Sequence, residues 1–145
     1  MSLLSALSVS ASGMAAQRTR TELLVENIAN SETTRTAEGG PYRRKDAVFT
    51  STPVASAFSS LLDEQLGGSL MGVTVAGVSV DTQAPERRYM PGHPDADKDG
   101  YVAMPRVNPA EDMVDLMGAS RGYQANVSAI SSIKDMIQRS IDILR

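Results

Sequence analysis

The sequence has no cysteine and no tryptophan, and only one histidine, two phenylalanines and four tyrosines in 145 residues. Without cysteine there is no disulfide, no thiolate nucleophile and no cysteine-bound metal, and the absence is neutral about compartment. So few aromatics leave a thin core for a chain whose length suggests one domain. A formal net charge of -3 argues against the basic face that nucleic acid requires. No segment reaches the roughly 18 consecutive apolar residues of a bilayer-spanning helix, so no membrane insertion is expected. The first residues lack a basic region, and Ser2, Ser5, Ser8 and Ser10 interrupt the apolar run, so a cleaved secretory signal is not expected either.

Chemistry-bearing motifs are also scarce. His93 lies between Gly92 and Pro94 with no nucleophile placed to use it. No Gly-rich phosphate loop, H-E-x-x-H or G-x-S-x-G is found. Asp95, Asp97, Asp99, Gly100 and Val102 match the opening of an EF-hand loop, but the twelfth position, which should be a bidentate Glu, is Arg106 behind Pro105. A glycine turn with solvated carboxylates leading into a Tyr101 to Met104 strand is therefore expected over a calcium site. The residues build no active site, and neither cofactor nor metal is expected.

What the chain does have is a long apolar seam at each end. From Met113, alternate steps of three and four reach Leu116, Ser120, Tyr123, Val127, Ile130, Lys134, Ile137, Ile141 and Leu144, with only Ser120 and Lys134 breaking the pattern. Asn108 can cap this helix, Pro109 suits its first position, and Glu111 falls where a capping box needs an acid. The helix would be about 55 Å long, more than the middle of the chain can cover. Gly118 and Gly122 mark a bend or a point of close helix approach. At the N-terminus Leu7, Met14, Thr21 and Ile28 recur by sevens, flanked by Leu3, Leu4, Ala11, Leu24 and Val25. Its serines and Gly13 make the first dozen residues a poor helix alone. An antiparallel pairing of the two helices within one chain is the simpler arrangement, but it covers one face of each seam only. Lateral packing between subunits accounts for the surplus.

The expected fold class is mainly α: long terminal helices forming a coiled-coil-like layer, with a small β-rich or looped middle, α+β at most. Residues 1–36 are the N-terminal helix, 37–107 the middle with a low-complexity insert near 51–72, and 108–145 the C-terminal helix. Glu38, Gly39, Gly40 and Pro41 end the first helix. Tyr42 to Thr50 reads as a strand, and the chain from Val73 through Val75, Gly77, Val78 and Val80 as another with a glycine bulge or kink. Phe58, Leu61, Leu62 and Leu66 suggest a short helical patch, and Ala84 to Pro105 a long loop or short hairpin.

Three runs carry a family resemblance. They are Ser12-Gly13-Met14-Ala15-Ala16-Gln17-Arg18 with Glu26-Asn27-Ile28-Ala29-Asn30, Gly92 to Asp97 with Gly100 to Asn108, and Ala119 to Val127. Together they resemble the bacterial flagellar rod and hook axial proteins, the proximal-rod members in particular. The pattern departs at Arg106 and Gly122 and is vaguer over Thr50 to Gly72. The resemblance implies export through the flagellar type III apparatus without a cleaved signal peptide, and polymerisation in the periplasm into the rod of the basal body. The partners it implies are other rod subunits, adjacent basal-body components and copies of the chain itself. It places Leu7, Met14, Ile28, Val127, Ile130, Ile137 and Ile141 in lateral packing. Asn27, Asn30, Tyr123, Gln124 and Asn126 would add polar register contacts. On this reading the termini are disordered in the dilute monomer. A soluble adaptor with its termini paired in cis and a partner-binding 84–107 loop is the alternative.

Overall fold

The computed structural model describes residues 3–54 and 70–143. The expected helical patch around Phe58, Leu61, Leu62 and Leu66 and the last seam position, Leu144, lie outside them. Among the described residues two helices, α1 (Leu3–Ala29) and α2 (Pro109–Ile143), enclose four strands in the sequence: β1 (Lys45–Pro53), β2 (Met71–Val80), β3 (Glu86–Tyr89) and β4 (Tyr101–Met104). The helices pack antiparallel against each other, and β1 and β2 form an antiparallel pair laid against α1. β3 and β4 form a second antiparallel pair. None of the described helices is long and apolar enough to cross a membrane.

α1 ends at Ala29, short of the expected boundary at residue 36. The polar side chains that follow take over the helix's last carbonyls: Asn30 Nδ2 donates to Glu26 O at 2.9 Å and Ser31 Oγ to Ile28 O at 2.8 Å. Such local bonds compete with helix continuation. The chain then turns through Gly39 and Gly40, both at positive φ (88° and 79°), closed by Thr36 N donating to Gly40 O at 2.9 Å.

β1 begins at Lys45, three residues later than expected. Tyr42 is held back from the ladder, because its amide donates to Thr33 O at 3.0 Å and its hydroxyl is buried against α1. The expected irregularity near Gly77 is present: Val48 pairs with Gly77 but Phe49 with Val75, leaving Ala76 as the extra residue of a bulge in β2. At the far end of β2, a Cβ on Gly72 would lie 2.6 Å from Val54 Cγ2 and 2.9 Å from Ser12 Oγ. Only glycine lets the strand approach α1 so closely, and Ser12 Oγ accepts the Val73 amide there at 3.1 Å.

The segment 84–105 is the short hairpin rather than the loop. Its turn is organised by Asp97, whose Oδ1 accepts the amides of Asp99 (3.0 Å) and Tyr101 (2.8 Å), while Gly100 takes φ 79°. Arg87 pairs with the other oxygen of Asp97. The Tyr101 amide first, then Arg87, hold this carboxyl below its ordinary range. No group of three or more acidic or His side chains among the described residues is arranged to hold a metal ion. The hairpin loop is tied back to the segment after α1, where Thr34 Oγ1 donates to Asp95 Oδ2 at 2.8 Å.

Candidate assembly surface

The start of α2 follows its capping sequence. Asn108 Oδ1 accepts the Ala110 amide at 3.2 Å, its carbonyl accepts the Asp112 amide at 3.0 Å, and Pro109 occupies the first helical position. The reciprocal bond from Glu111 that would complete a capping box is absent from the hydrogen bonds of the described residues. The amphipathic helix so begun runs 35 residues, against 27 for α1.

The face that α2 turns toward α1 is not the apolar seam. Its buried positions are Asp112, Ala119 and Ile133, with Leu116, Gly122, Asn126, Ile130 and Ile137 half-buried between them. This stripe is offset by about one position from the seam and shares only Leu116, Ile130 and Ile137 with it. Small residues explain the choice. Ala16 on α1 and Ala119 on α2 are both fully covered, and glycines at 13 and 122 let the two backbones come close. Shape, rather than hydrophobicity, selects the contact. The rest of the seam is left outside: Met113, Tyr123, Val127 and Ile141 are 52%, 40%, 45% and 53% exposed. Met117 lies on the same face, while Val114, Met136 and Ile143 are exposed on another side of the helix. Exposed apolar lines of this kind are characteristic of interaction surfaces.

On α1 the expected seam positions Leu7, Met14 and Ile28 are half-buried, while Leu3, Leu4 and Val25 are exposed. Of the expected polar contacts, Gln124 is exposed, Asn126 is half-buried with its Nδ2 donating to Gly122 O at 2.9 Å, and Asn30 caps α1 as described. Asn27 takes a different part. It is completely buried within the chain, its Oδ1 accepting the Tyr42 hydroxyl and the Lys45 amide and its Nδ2 donating to Lys45 O, all at 2.9 Å. Both polar atoms of its side chain are thereby engaged within the chain.

Beside this node lies a buried charge that sequence reasoning missed. Asp112 is fully buried, with Arg44 Nη2 2.9 Å from its Oδ1 and Arg44 Nε 3.5 Å from Asp46. The contact is an ion pair without hydrogen-bond alignment, and neither oxygen of Asp112 has a hydrogen bond. Burial raises its carboxyl above the ordinary value against the pull of Arg44, and Asp46, Asp115 and Glu111 push the same way. The seven-residue spacing of Asp112, Ala119, Asn126 and Ile133 was the signal that could have found this inward stripe.

Comparison with known proteins agrees with these observations. Residues 98–143, which include β4 and α2, match the family described as flagellar basal body rod FlgEFG protein C-terminal. Over its full length the chain is 40% identical to a flagellar basal-body rod protein FlgC of Borreliella burgdorferi, covering 99% of that protein. It is 39% identical to the protein of that name from Bacillus subtilis, with 99% of each chain covered. The corresponding protein of Salmonella typhimurium is 37% identical, with 99% of this chain and 98% of that one covered.

Proposed function

Because this chain belongs to the FlgC family of flagellar basal-body rod proteins, and is thus a structural rod subunit rather than an enzyme, we propose that it polymerises laterally through its terminal helices. The two terminal segments, residues 1–36 and 108–145, form the inner layer of the rod, and residues 37–107 face neighbouring subunits. The observation that carries this reading is the uncovered line of Met113, Tyr123, Val127 and Ile141, which remains after α1 has taken the adjacent stripe. Full burial of a side chain of this size contributes about 1.5–3 kcal/mol. Those already half-covered retain roughly half of that for a neighbour, so stability comes from many weak lateral contacts repeated along the rod.

The surface includes Leu7, Met14 and Ile28 on α1 and Tyr123, Gln124, Val127, Ile130, Ile137 and Ile141 on α2, with Asn30 and Asn126 at its margins. As a rod protein it assembles with other rod components. Copies of itself and adjacent basal-body parts fit the same surface, and it reaches the periplasm through the flagellar type III apparatus without a cleaved signal. Pairing of the termini in cis is the geometry of the adaptor alternative, but the uncovered seam and the full-length similarity to rod proteins favour the rod.

The test replaces Val127 or Ile141 with Asp in a strain lacking its own copy of the gene. Both side chains are about half exposed, so the purified variants should melt like the parent chain while motility is lost, because assembly would bury a charge. Ile137→Asp is less informative, since Ile137 also contacts the cis pair and the monomer itself would suffer. Normal swarming by either exposed-site variant would overturn the lateral-packing assignment.

A further inference from the structure

Where α1 and α2 come closest, four residues form a square with reciprocal corners. A Cβ placed on Gly13 of α1 would lie 3.0 Å from both amide atoms of Asn126 on α2, and one placed on Gly122 of α2 would lie 3.3 Å from Gln17 Cδ on α1. Gly13 and Gln17 are one helical turn apart, as are Gly122 and Asn126. Each helix thus reads glycine, three residues, carboxamide, and antiparallel pairing seats each carboxamide on the other helix's glycine. The Asn126 side chain is further tied by its Nδ2 to Gly122 O at 2.9 Å, so it cannot move aside without losing that bond. Gln17 Oε1 is buried with no hydrogen-bond partner, a cost accepted at the contact and nowhere else on α1 among the described residues.

We propose that this square is a register lock: it fixes the single antiparallel alignment of α1 and α2 in which Ala16 and Ala119 are covered and the apolar seam is left facing outward. Apolar stripes alone specify alignment poorly, because sliding a helix by one turn replaces one leucine-sized side chain with another. A glycine facing a carboxamide does not tolerate that slide. A slide of one turn in one direction sets Asn126 against Val9 and the two glycines against each other; in the other direction it drives Gln17 and Asn126 against one another. The seam is the surface of the proposed assembly, so in the rod the lock decides which residues a neighbour meets. Only this last consequence rests on the lateral-packing reading; the lock itself is a property of one chain.

The experiment is a double-mutant cycle on the purified full chain, with Gly13→Ala, Asn126→Ala and the double variant, followed by thermal loss of helical circular dichroism. An alanine in place of a helical glycine stabilises when the space is open. The lock predicts a change of sign: Gly13→Ala lowers the melting temperature in the parent chain and raises it in the Asn126→Ala background, where the obstructing carboxamide is gone. Gly122→Ala with Gln17→Ala should repeat the pattern more weakly, in line with the longer distance. If Gly13→Ala raises the melting temperature equally in both backgrounds, helix propensity is the whole effect and the lock is refuted. A parent chain with no cooperative helical transition would refute it as well, because a lock requires paired helices. Neither result depends on assembly, so failure here is distinguishable from failure of the seam variants in motility.

Discussion

The Tyr42 hydroxyl donates to Asn27 Oδ1 across 2.9 Å, joining the last turn of α1 to the segment that leads into β1. The same oxygen receives the Lys45 amide, and Glu26 one residue earlier pairs with Lys45 Nζ. Three residues of the 42–45 segment are therefore fixed: Tyr42 and Lys45 to α1, and Arg44 to Asp112 at the start of α2. The middle of the chain and both helices meet in one polar joint.

Replacing Asn27 by Ala should break that joint. It strands the buried Tyr42 hydroxyl and both main-chain groups of Lys45, and an unsatisfied buried group costs about 1–3 kcal/mol. A loss of roughly 3 kcal/mol in urea unfolding is expected. Asn27→Asp should also be damaging, because a carboxylate cannot donate to the Lys45 carbonyl and would set two acceptors face to face. A midpoint unchanged for both variants would show that the joint contributes nothing.

Tyr42 gives the joint a signature at alkaline pH. Burial, reinforced by Glu26, Asp112 and Asp46, pushes its phenol up to about 12 from an ordinary value of 10.0. Because the folded value lies above the unfolded one, the protonated phenol contributes stability that is complete below pH 10 and is lost as pH rises toward about 12. The difference is on the order of 2 kcal/mol. Tyr42→Phe forfeits the bond to Asn27 and starts less stable, but the stability gap between parent and variant should close across this interval. A gap constant up to pH 12 would contradict the buried, bonded phenol.

What the sequence revealed and what it concealed divide along physical lines. The α2 cap at Asn108 and Pro109, the bulge beside Gly77 and the Asp97 turn depend on neighbours within a few residues, and local chemistry determines them. The seam was legible as a hydrophobic period. Its partner was not, because α1 contacts the adjacent stripe of Ala119, Gly122 and Asn126, chosen for closeness of approach rather than apolar character. The roles of Asn27 and Asp112 were hidden for a different reason. Each answers a group far away in sequence, Tyr42 fifteen residues on in one case and Arg44 on the opposite side of the middle segment in the other, and no periodicity records such a pairing.

The alignment of the helices also bears on how much of the termini is ordered before assembly. With Gly13 facing Asn126, Leu3 comes level with Met136, so the last turns of α2 extend past the described start of α1. Ile141 and Ile143 there are 53% and 85% exposed. An overhang of about seven residues with no packing partner frays from its free end. Residues 112–133 are paired in cis and should not share that weakness. Hydrogen exchange on the dilute chain should therefore show slow amides through Ile133 and fast ones from Ile141 onward, and in isolated rods the overhang should become slow. Fast exchange throughout α2 in the monomer would mean that the cis pair forms only in the assembly. An overhang that stays fast in the rod would mean that no neighbouring subunit packs on it, and the seam would then have to end near Met136.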